Sequence, residues 1–513
     1  MTPRRQPKTT NHSFSTTLWC FLAGAVGSLS LPPLFFLPAI FALSIPLLAY
    51  LRASSWSSAG QILWSAGFGW FLASTFWVSN SLIIKSPSLW FLAPFLAISL
   101  ALCLGLFWGL AAIVSWPLGR LRVARILWFV VCFCFFEWSR GFVATGFPWN
   151  LPGMIFSVDL ASLQLASVFG VYGMTVFAVF FAISPVFWSN GNRNMAVFFV
   201  IMPFIFAGIG LWRLDVSTIE KNTNQKIVRL VQPVISQDEK WNEKRRDQHL
   251  KILTSLSTDT PPTPKLVIWP ETAFSGYPSI VPNLFRETAR LATTRDGHLI
   301  TGVPRISRDK KLLNSAILVN NNGDFIATYD KRHLVPFGEY IPFRNILPSI
   351  NAIVGPVDFA SGQRGPLMTL ANYGRVSVLI CYEIIFSGSI VEPVNRPEII
   401  INITNDAWFG ESAGPWQHFF QARFRAVEEG LPLLRVANTG ISVGFDGHGR
   451  QLGIIPLGHR AAIDVEVPEA LAPTLFAQFG NMFFYSSTTL NETRNSGVSA
   501  TVGHMRQCRN TGQ

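Results

Sequence analysis

Three polar residues stand at the ends of apolar, β-rich runs in the second half of the chain. Glu271 closes Leu266-Val267-Ile268-Trp269-Pro270-Glu271, Lys331 follows Phe325-Ile326-Ala327-Thr328-Tyr329-Asp330, and Cys381 ends Val376-Ser377-Val378-Leu379-Ile380-Cys381. A thiol attacks as its thiolate, so it needs a base or a cationic neighbour. A glutamate in an apolar pocket has a raised pKa and can take that proton. A lysine can stabilise the thiolate and then the oxyanion of a tetrahedral intermediate, and backbone N–H groups just after the cysteine would add donors. Glu271, Lys331 and Cys381 would thus complete an acyl-transfer set. Spacing alone does not bring them together in space, and each has a plain structural explanation. A strand-end cysteine packs well in a core, Glu271 after Trp-Pro could cap a following helix, and Lys331 beside Arg332 could sit in a solvated turn.

The elements that must position them alternate. Strands are expected at 227–235, 265–271, 299–304, 314–320, 324–330, 375–381, 399–404, 432–437 and 441–446, with helices over 242–256, 283–294 and 418–429. This alternation predicts an α/β layered sandwich. Asn321-Asn322-Gly323-Asp324 and Asp446-Gly447-His448-Gly449 read as hairpin turns.

The first half differs in kind. Of 513 residues, 49% are hydrophobic and 14% charged, and the mean hydropathy is +0.33, too apolar for an ordinary soluble enzyme. Residues 1–220 carry 11 Lys/Arg and 4 Asp/Glu, against 27 and 24 in 221–470. A span needs roughly 20 apolar residues, which predicts seven, at about 14–31, 34–51, between Arg52 and Lys85, and at 89–116, 126–144, 164–188 and 195–212. The first is no cleavable signal, because further spans follow without a small-residue cleavage site. With the N-terminus inside, Arg4, Arg5, Lys8, Arg52, Arg120, Arg122, Arg125 and Arg193 fall on the inner face, and Lys85 and Arg140 on the outer. That positive-inside bias places residues beyond 213 outside. The net charge of +12 is therefore a topology signal, and no nucleic-acid partner is expected.

Cys20, Cys103, Cys132 and Cys134 fall in spans and read as packing residues. Cys381 has no second cysteine to pair with in the outer domain, so it can stay reduced. Glu137 and Arg140, three apart in the fifth span, are expected to pair, either at the outer headgroups or against a phospholipid headgroup. Residues 469–513 read as a polar, mostly disordered tail.

Longer strings resemble a known family. Trp269-Pro270-Glu271-Thr272, Tyr329-Asp330-Lys331-Arg332-His333-Leu334-Val335-Pro336-Phe337-Gly338-Glu339-Tyr340-Ile341-Pro342 and Leu379-Ile380-Cys381-Tyr382-Glu383 resemble, in order, the three motif regions of the nitrilase (carbon–nitrogen hydrolase) superfamily. The fuller resemblance is to apolipoprotein N-acyltransferases. It extends over Val231-Gln232, Lys240-Trp241, Glu137-Trp138-Ser139-Arg140-Gly141, Gly146-Phe147-Pro148-Trp149, Asn402–Gly410, Gly414-Pro415-Trp416-Gln417-His418 and Leu433-Leu434-Arg435 with Asn438-Thr439-Gly440.

The resemblance implies an α-β-β-α nitrilase-like sandwich (226–468, periplasmic) behind a multi-span helical membrane domain (14–213), with a cytoplasmic tail (1–13), in a bacterial inner membrane. It implies Glu271 as general base, Lys331 as transition-state stabiliser and Cys381 as nucleophile. Glu339 would help hold Lys331, Tyr382 and Glu383 would flank the nucleophile, and Trp241 would form a mobile rim, with apolar loops at Phe337 and Trp408. The implied reaction is ping-pong: an acyl chain passes from a membrane phospholipid to Cys381, then to the α-amine of a diacylglyceryl-modified apolipoprotein, with no cofactor or metal.

Two departures stand out. Val234 occupies a position where the family usually has Asn, and the usual final span is missing from the 469–513 tail. A membrane-tethered nitrilase-type amidase is the alternative, and a non-catalytic membrane scaffold for a partner enzyme is a second.

Overall fold

The computed structural model describes residues 14–119, 121–216, 226–342, 344–345, 357–363, 365, 367–370, 372–392 and 395–481. Residues 1–13, with Arg4, Arg5 and Lys8, as well as Arg120 and the tail from 482 onward, lie outside them.

All seven apolar stretches contain helix. Trp56–Lys85, Pro87–Ser115 and Arg193–Val216 are long and apolar enough to cross a membrane, while Phe14–Ser30, Leu37–Leu51 and Ala166–Ala182 are shorter apolar helices. Arg122–Ser139 is also helical. The stretch expected as one span over 164–188 is interrupted. Gly170 sits at φ +60 inside Ala166–Ala182, and a new helix, Ser184–Ser189, starts at Ser184-Pro185. The helices Phe14–Gly27 and Trp56–Thr75 cross so closely that a Cβ on Gly24 would lie 1.9 Å from the Ala66 carbonyl oxygen, and one on Gly69 1.9 Å from that of Phe21. Small residues at such crossings let backbones touch. Cys20, Cys132 and Cys134 are buried as expected, whereas Cys103 is exposed.

The second half is a sandwich of two six-stranded sheets. One runs β12-β1-β2-β3-β4-β5 and the other β11-β10-β9-β8-β7-β6, where β1 is Lys226–Gln232, β2 Leu266–Ile268, β3 His298–Ile306, β4 Leu312–Asn320, β5 Phe325–Asp330, β6 Leu367–Leu370, β7 Gly374–Ile380, β8 Ile399–Thr404, β9 Leu433–Ala437, β10 Ser442–Phe445, β11 Gln451–Ile455 and β12 Ala461–Val467. Val228, Leu230, Ile268 and Ile300 of the first sheet pack on Val376, Val378, Ile401 and Val436 of the second. Helices Arg246–Thr258 and Pro282–Ala292 cover the first sheet, with Leu250, Leu253, Phe285 and Ala289 against Val267, Leu299 and Ile317. Helix Ala413–Glu429 covers the second, with Phe419, Ala422 and Ala426 against Ile400, Leu433 and Val443.

β6, β11 and β12 were not expected from the sequence. All three are sheet edges, and β12 alternates exposed Asp464 and Glu466 with buried Val465 and Val467. The two hairpin turns form as read, with Gly323 at φ +77 and Gly449 at φ +78. Residues 469–481, expected within a loose tail, are packed. Leu475–Phe479 is helical and its Phe476 ring fills the space beside Gly170, while Asn481 Nδ2 donates to the Ser387 carbonyl at 2.8 Å.

Helix Ala413–Glu429 is also the seat of the helical half. Gln417 Oε1 accepts from Trp77 Nε1 at 3.0 Å and Trp149 Nε1 at 2.8 Å. Glu428 Oε1 accepts from the Val171 N–H at 2.7 Å. The two halves thus share one buried polar seam.

Candidate active site

Glu271, Lys331 and Cys381 come from the ends of β2, β5 and β7 and meet between the sheets. They are 7%, 1% and 8% exposed, which removes the solvated-turn reading of Lys331. The Glu271 turn lies against β3 because position 302 is glycine: a Cβ there would sit 2.6 Å from Glu271 Cα. Lys331 Nζ stands 2.8 Å from Glu339 Oε2 and 3.8 Å from Glu271 Oε1. Asn314 on β4 joins the two carboxylates, donating from Nδ2 to Glu271 Oε1 at 2.8 Å and Glu339 Oε1 at 2.9 Å. Glu271 therefore faces the lysine and asparagine and does not cap a helix.

Cys381 sits at φ +52 where β7 passes into the 3₁₀ turn Cys381–Ile385. A non-glycine residue rarely holds that conformation, and such strain clusters at nucleophile turns. Glu383 fixes the turn. Its Oε2 accepts from the Ile380 N–H at 2.8 Å, and its Oε1 from Tyr329 Oη at 2.7 Å, Arg332 N at 2.8 Å and His333 N at 3.1 Å. One carboxylate thus ties the cysteine strand end to the lysine strand end.

Burial, reinforced by the negative charges of Glu271 and Asp406, pushes the Cys381 thiol up to about 12, against the opposing pull of Lys331. Burial on its own would lower Lys331, but Glu339, Glu271 and Cys381 together raise it. The resting site therefore holds a protonated thiol beside a firmly charged ammonium.

Behind the nucleophile lies a second polar group. His418 Nε2–H donates to the Cys381 carbonyl at 3.2 Å, and its Nδ1 faces Asp406 Oδ1 at 2.9 Å. Arg435 donates to Asp406 Oδ2 at 2.5 Å and Asn402 Oδ1 at 2.7 Å, and Asn402 Nδ2 donates to the Cys381 carbonyl at 3.3 Å. Burial would raise Asp406, but Arg435 and His418 hold it at about 2.

The helical half reaches the same turn. Tyr382 Oη donates to the Gly146 carbonyl at 2.6 Å, and His333 Nε2–H to that of Thr145 at 2.5 Å. That loop is held in turn by Arg140, which donates to the carbonyls of Phe147 and Trp149 and pairs with Glu137 at 2.6 Å. Both charges are 1% exposed. The pairing is as read from the sequence, but its setting is corrected: neither group reaches the headgroups, because Trp108 Nε1, at 2.9 Å from Glu137 Oε1, and the loop carbonyls enclose them.

Trp241 and Phe337 stand about half exposed, at 43% and 48%. Asn314 and Lys240, the latter buried with its Nζ 3.0 Å from the Glu271 carbonyl, carried no assignment from the sequence. Asp406, His418 and Arg435 lay inside recognisable strings without a role.

A two-sheet sandwich with Glu, Lys and Cys at facing strand ends defines the α/β half as a carbon–nitrogen hydrolase domain, and the family described as "Carbon-nitrogen hydrolase" matches residues 216–468. "Apolipoprotein N-acyltransferase N-terminal domain" matches residues 23–184. Apolipoprotein N-acyltransferase from Rickettsia typhi is 34% identical over 477 residues, covering 91% of this chain and 95% of its own length. The protein of that name from Allorhizobium ampelinum is 34% identical over 92% of this chain and 94% of its own. The chain belongs to the apolipoprotein N-acyltransferase family, as a membrane-associated acyltransferase. Among solved structures, an amidase from Nesterenkonia sp. aligns with 54% of this chain and 99% of its own at 18% identity, with a TM-score of 0.38.

Proposed function

We propose that this chain is a phospholipid:apolipoprotein N-acyltransferase that performs the last acylation of bacterial lipoproteins through a thioester on Cys381. The observation that carries the reading is the Lys331 ammonium held between Glu271 and Glu339, with its charge acting on a strained, unbridged cysteine. Glu271 takes the Cys381 proton as sulfur attacks the acyl carbonyl of a phospholipid. Lys331 faces the oxyanion. Glu271 then returns the proton to the departing glycerol oxygen, releasing a lysophospholipid. In the second half the α-amine of a diacylglyceryl-cysteine attacks the thioester, Glu271 takes its proton, and the thiolate leaves. A thioester suits this step because amines attack it more readily than an oxygen ester.

Glu339 holds Lys331, Tyr382 and Glu383 hold the nucleophile turn, and Trp241, Phe337 and Trp408 form the apolar rim that keeps water from the thioester. In this reading residues 14–213 form the multi-pass membrane domain and 226–468 the catalytic domain on the periplasmic side. The inner-face surplus of basic residues supports that orientation. Both substrates are lipid-anchored, which accounts for the fusion of the two halves.

The test is incubation of purified protein with phospholipid and an N-terminal diacylglyceryl-cysteine peptide. Formation of N-acylated peptide and lysophospholipid in equal amounts supports the reading. Hydrolysis of amides without consumption of phospholipid makes the chain an amidase, and full biological function in Cys381→Ala makes it a scaffold.

A further inference from the structure

Lys240 is a second buried ammonium in the site. It lies in the turn between β1 and helix Arg246–Thr258 and is 3% exposed. Among the described residues the one hydrogen bond of its ammonium is to the Glu271 carbonyl at 3.0 Å, leaving two of its N–H groups free of protein acceptors. The turn that carries it is fastened down. Asn438 exchanges bonds with Ile235, accepting from its N–H at 3.0 Å and donating to its carbonyl at 2.8 Å, and Gln237 Oε1 accepts from Asn405 at 2.7 Å. A lysine held so firmly in the interior, with one partner, needs a charge to balance it.

The charges around it supply the reason. Glu271 and Glu339 bring two negative charges, and Lys331 neutralises only one of them. The other nearby carboxylates are already satisfied, Glu383 by its four donors and Asp406 by Arg435. Two buried carboxylates and one lysine leave a net negative site. Such a site opposes a thiolate at Cys381. With Lys240 the set Glu271–Lys331–Glu339–Lys240 is neutral.

We propose that Lys240 is a positioning residue of the active site, whose ammonium offsets the second carboxylate and so favours the thiolate of Cys381 over its thiol. The charged groups that interact with it are Glu271 and Cys381 from the strand ends, and His249 from helix Arg246–Thr258, itself near Glu239, Arg245 and Arg460. Burial lowers Lys240 to about 8, with Glu271 and Cys381 pulling the other way. Its charge is thus complete below that pH and lost above it. His249 is lowered from its ordinary value by burial and titrates well below that inflection.

The inference rests on Glu271 and Cys381 being the base and nucleophile, so the readout is separated from acyl transfer. Cys381 alkylation by iodoacetamide, followed by intact mass across pH 6–10, reports the thiolate whatever the substrate. In the wild type the rate should rise steeply with pH to about 8, rise much less over the next pH unit as Lys240 loses its charge, and then climb again, because the thiol itself is held up to about 12. In Lys240→Met it should be about tenfold slower at pH 7, as expected for a one-unit rise in the thiol pKa, with no inflection near 8. Lys240→Arg should match the wild type at pH 7 and keep rising past 8. If Lys240→Met does not fold, the wild-type inflection and Lys240→Arg decide. A Lys240→Met profile within twofold of wild type overturns the proposal, and so does a uniform drop with unchanged shape. Shifted alkylation in a protein that never forms an acyl adduct would retain the role of Lys240 and remove the acyltransferase reading instead.

Discussion

Lys331 Nζ lies 2.8 Å from Glu339 and 3.8 Å from Glu271, so the two carboxylates are not equivalent partners. Glu339 makes the tight pair, is tied to the Val335 N–H at 2.9 Å and shares Asn314 with Glu271. It keeps the lysine from collapsing onto the base. Glu339→Gln removes that hold, and Lys331 then pairs with Glu271 and quenches it. Thioester formation should fall by ~10²-fold, the range over which a positioned general base contributes. Single-turnover mass spectrometry reads this directly, and a rate within threefold of wild type would contradict it.

The Tyr382 hydroxyl joins the nucleophile turn to the Gly146 carbonyl. Tyr382→Phe leaves that buried carbonyl without its donor, at a cost of about 1–3 kcal/mol. Amide exchange in residues 142–147 should speed up by tenfold or more while exchange in β1–β4 stays unchanged. Equal exchange in both would show that the loop is held by other contacts.

Val234 holds φ +50, a left-handed conformation that a β-branched residue adopts only under strain. Its N–H donates to the Asn438 carbonyl at 3.1 Å, which sets the backbone there. Val234→Asn should stabilise the protein by about 1 kcal/mol, because asparagine tolerates this region, and should raise the thermal midpoint in detergent. An unchanged or lower midpoint would mean that the valine side chain contributes packing that outweighs the strain.

Much of this was legible beforehand for identifiable reasons. Long apolar runs with β-branched residues announced β1, β3, β4, β7 and β8, and the structure brings the three strand-end residues together. What stayed hidden was whatever needs tertiary pairing to be seen. β12 alternates with the charged pair Asp464 and Glu466, yet it lies beside β1 through its whole length. Asn314 looks like any strand-edge amide until Glu271 and Glu339 arrive from other strands. Glu137 and Arg140 show their spacing but not the loop carbonyls that enclose them. Residues 469–481 are too short an apolar stretch to stand out from the Ser/Thr/Asn-rich tail that follows, and the space beside Gly170 shows where Phe476 is buried.

The Asp406–Arg435–His418 group fixes the Cys381 carbonyl from behind. Arg435→Met strips Asp406 of its main cation and should destabilise the protein by about 3–5 kcal/mol, as breaking a buried pair does. The acid limb follows in sign. Asp406 is held at about 2, below its unfolded value near 3.9, so its contribution is complete above about pH 4 and is lost as pH falls toward 2. Denaturant titrations of wild type and Arg435→Met across pH 2–6 check this, and the wild-type advantage should shrink at the acid end. A constant difference over that range would rule out Asp406 as the linked group.

The most direct measurement is intact-mass analysis of purified protein after incubation with phospholipid alone. The predicted result is an adduct of one fatty acyl chain that hydroxylamine removes, that disappears on adding a diacylglyceryl-cysteine peptide, and that Cys381→Ser does not form as a hydroxylamine-labile thioester. A folded protein that consumes no phospholipid, or an adduct that persists when Cys381 is replaced by alanine, would contradict acyl transfer through Cys381.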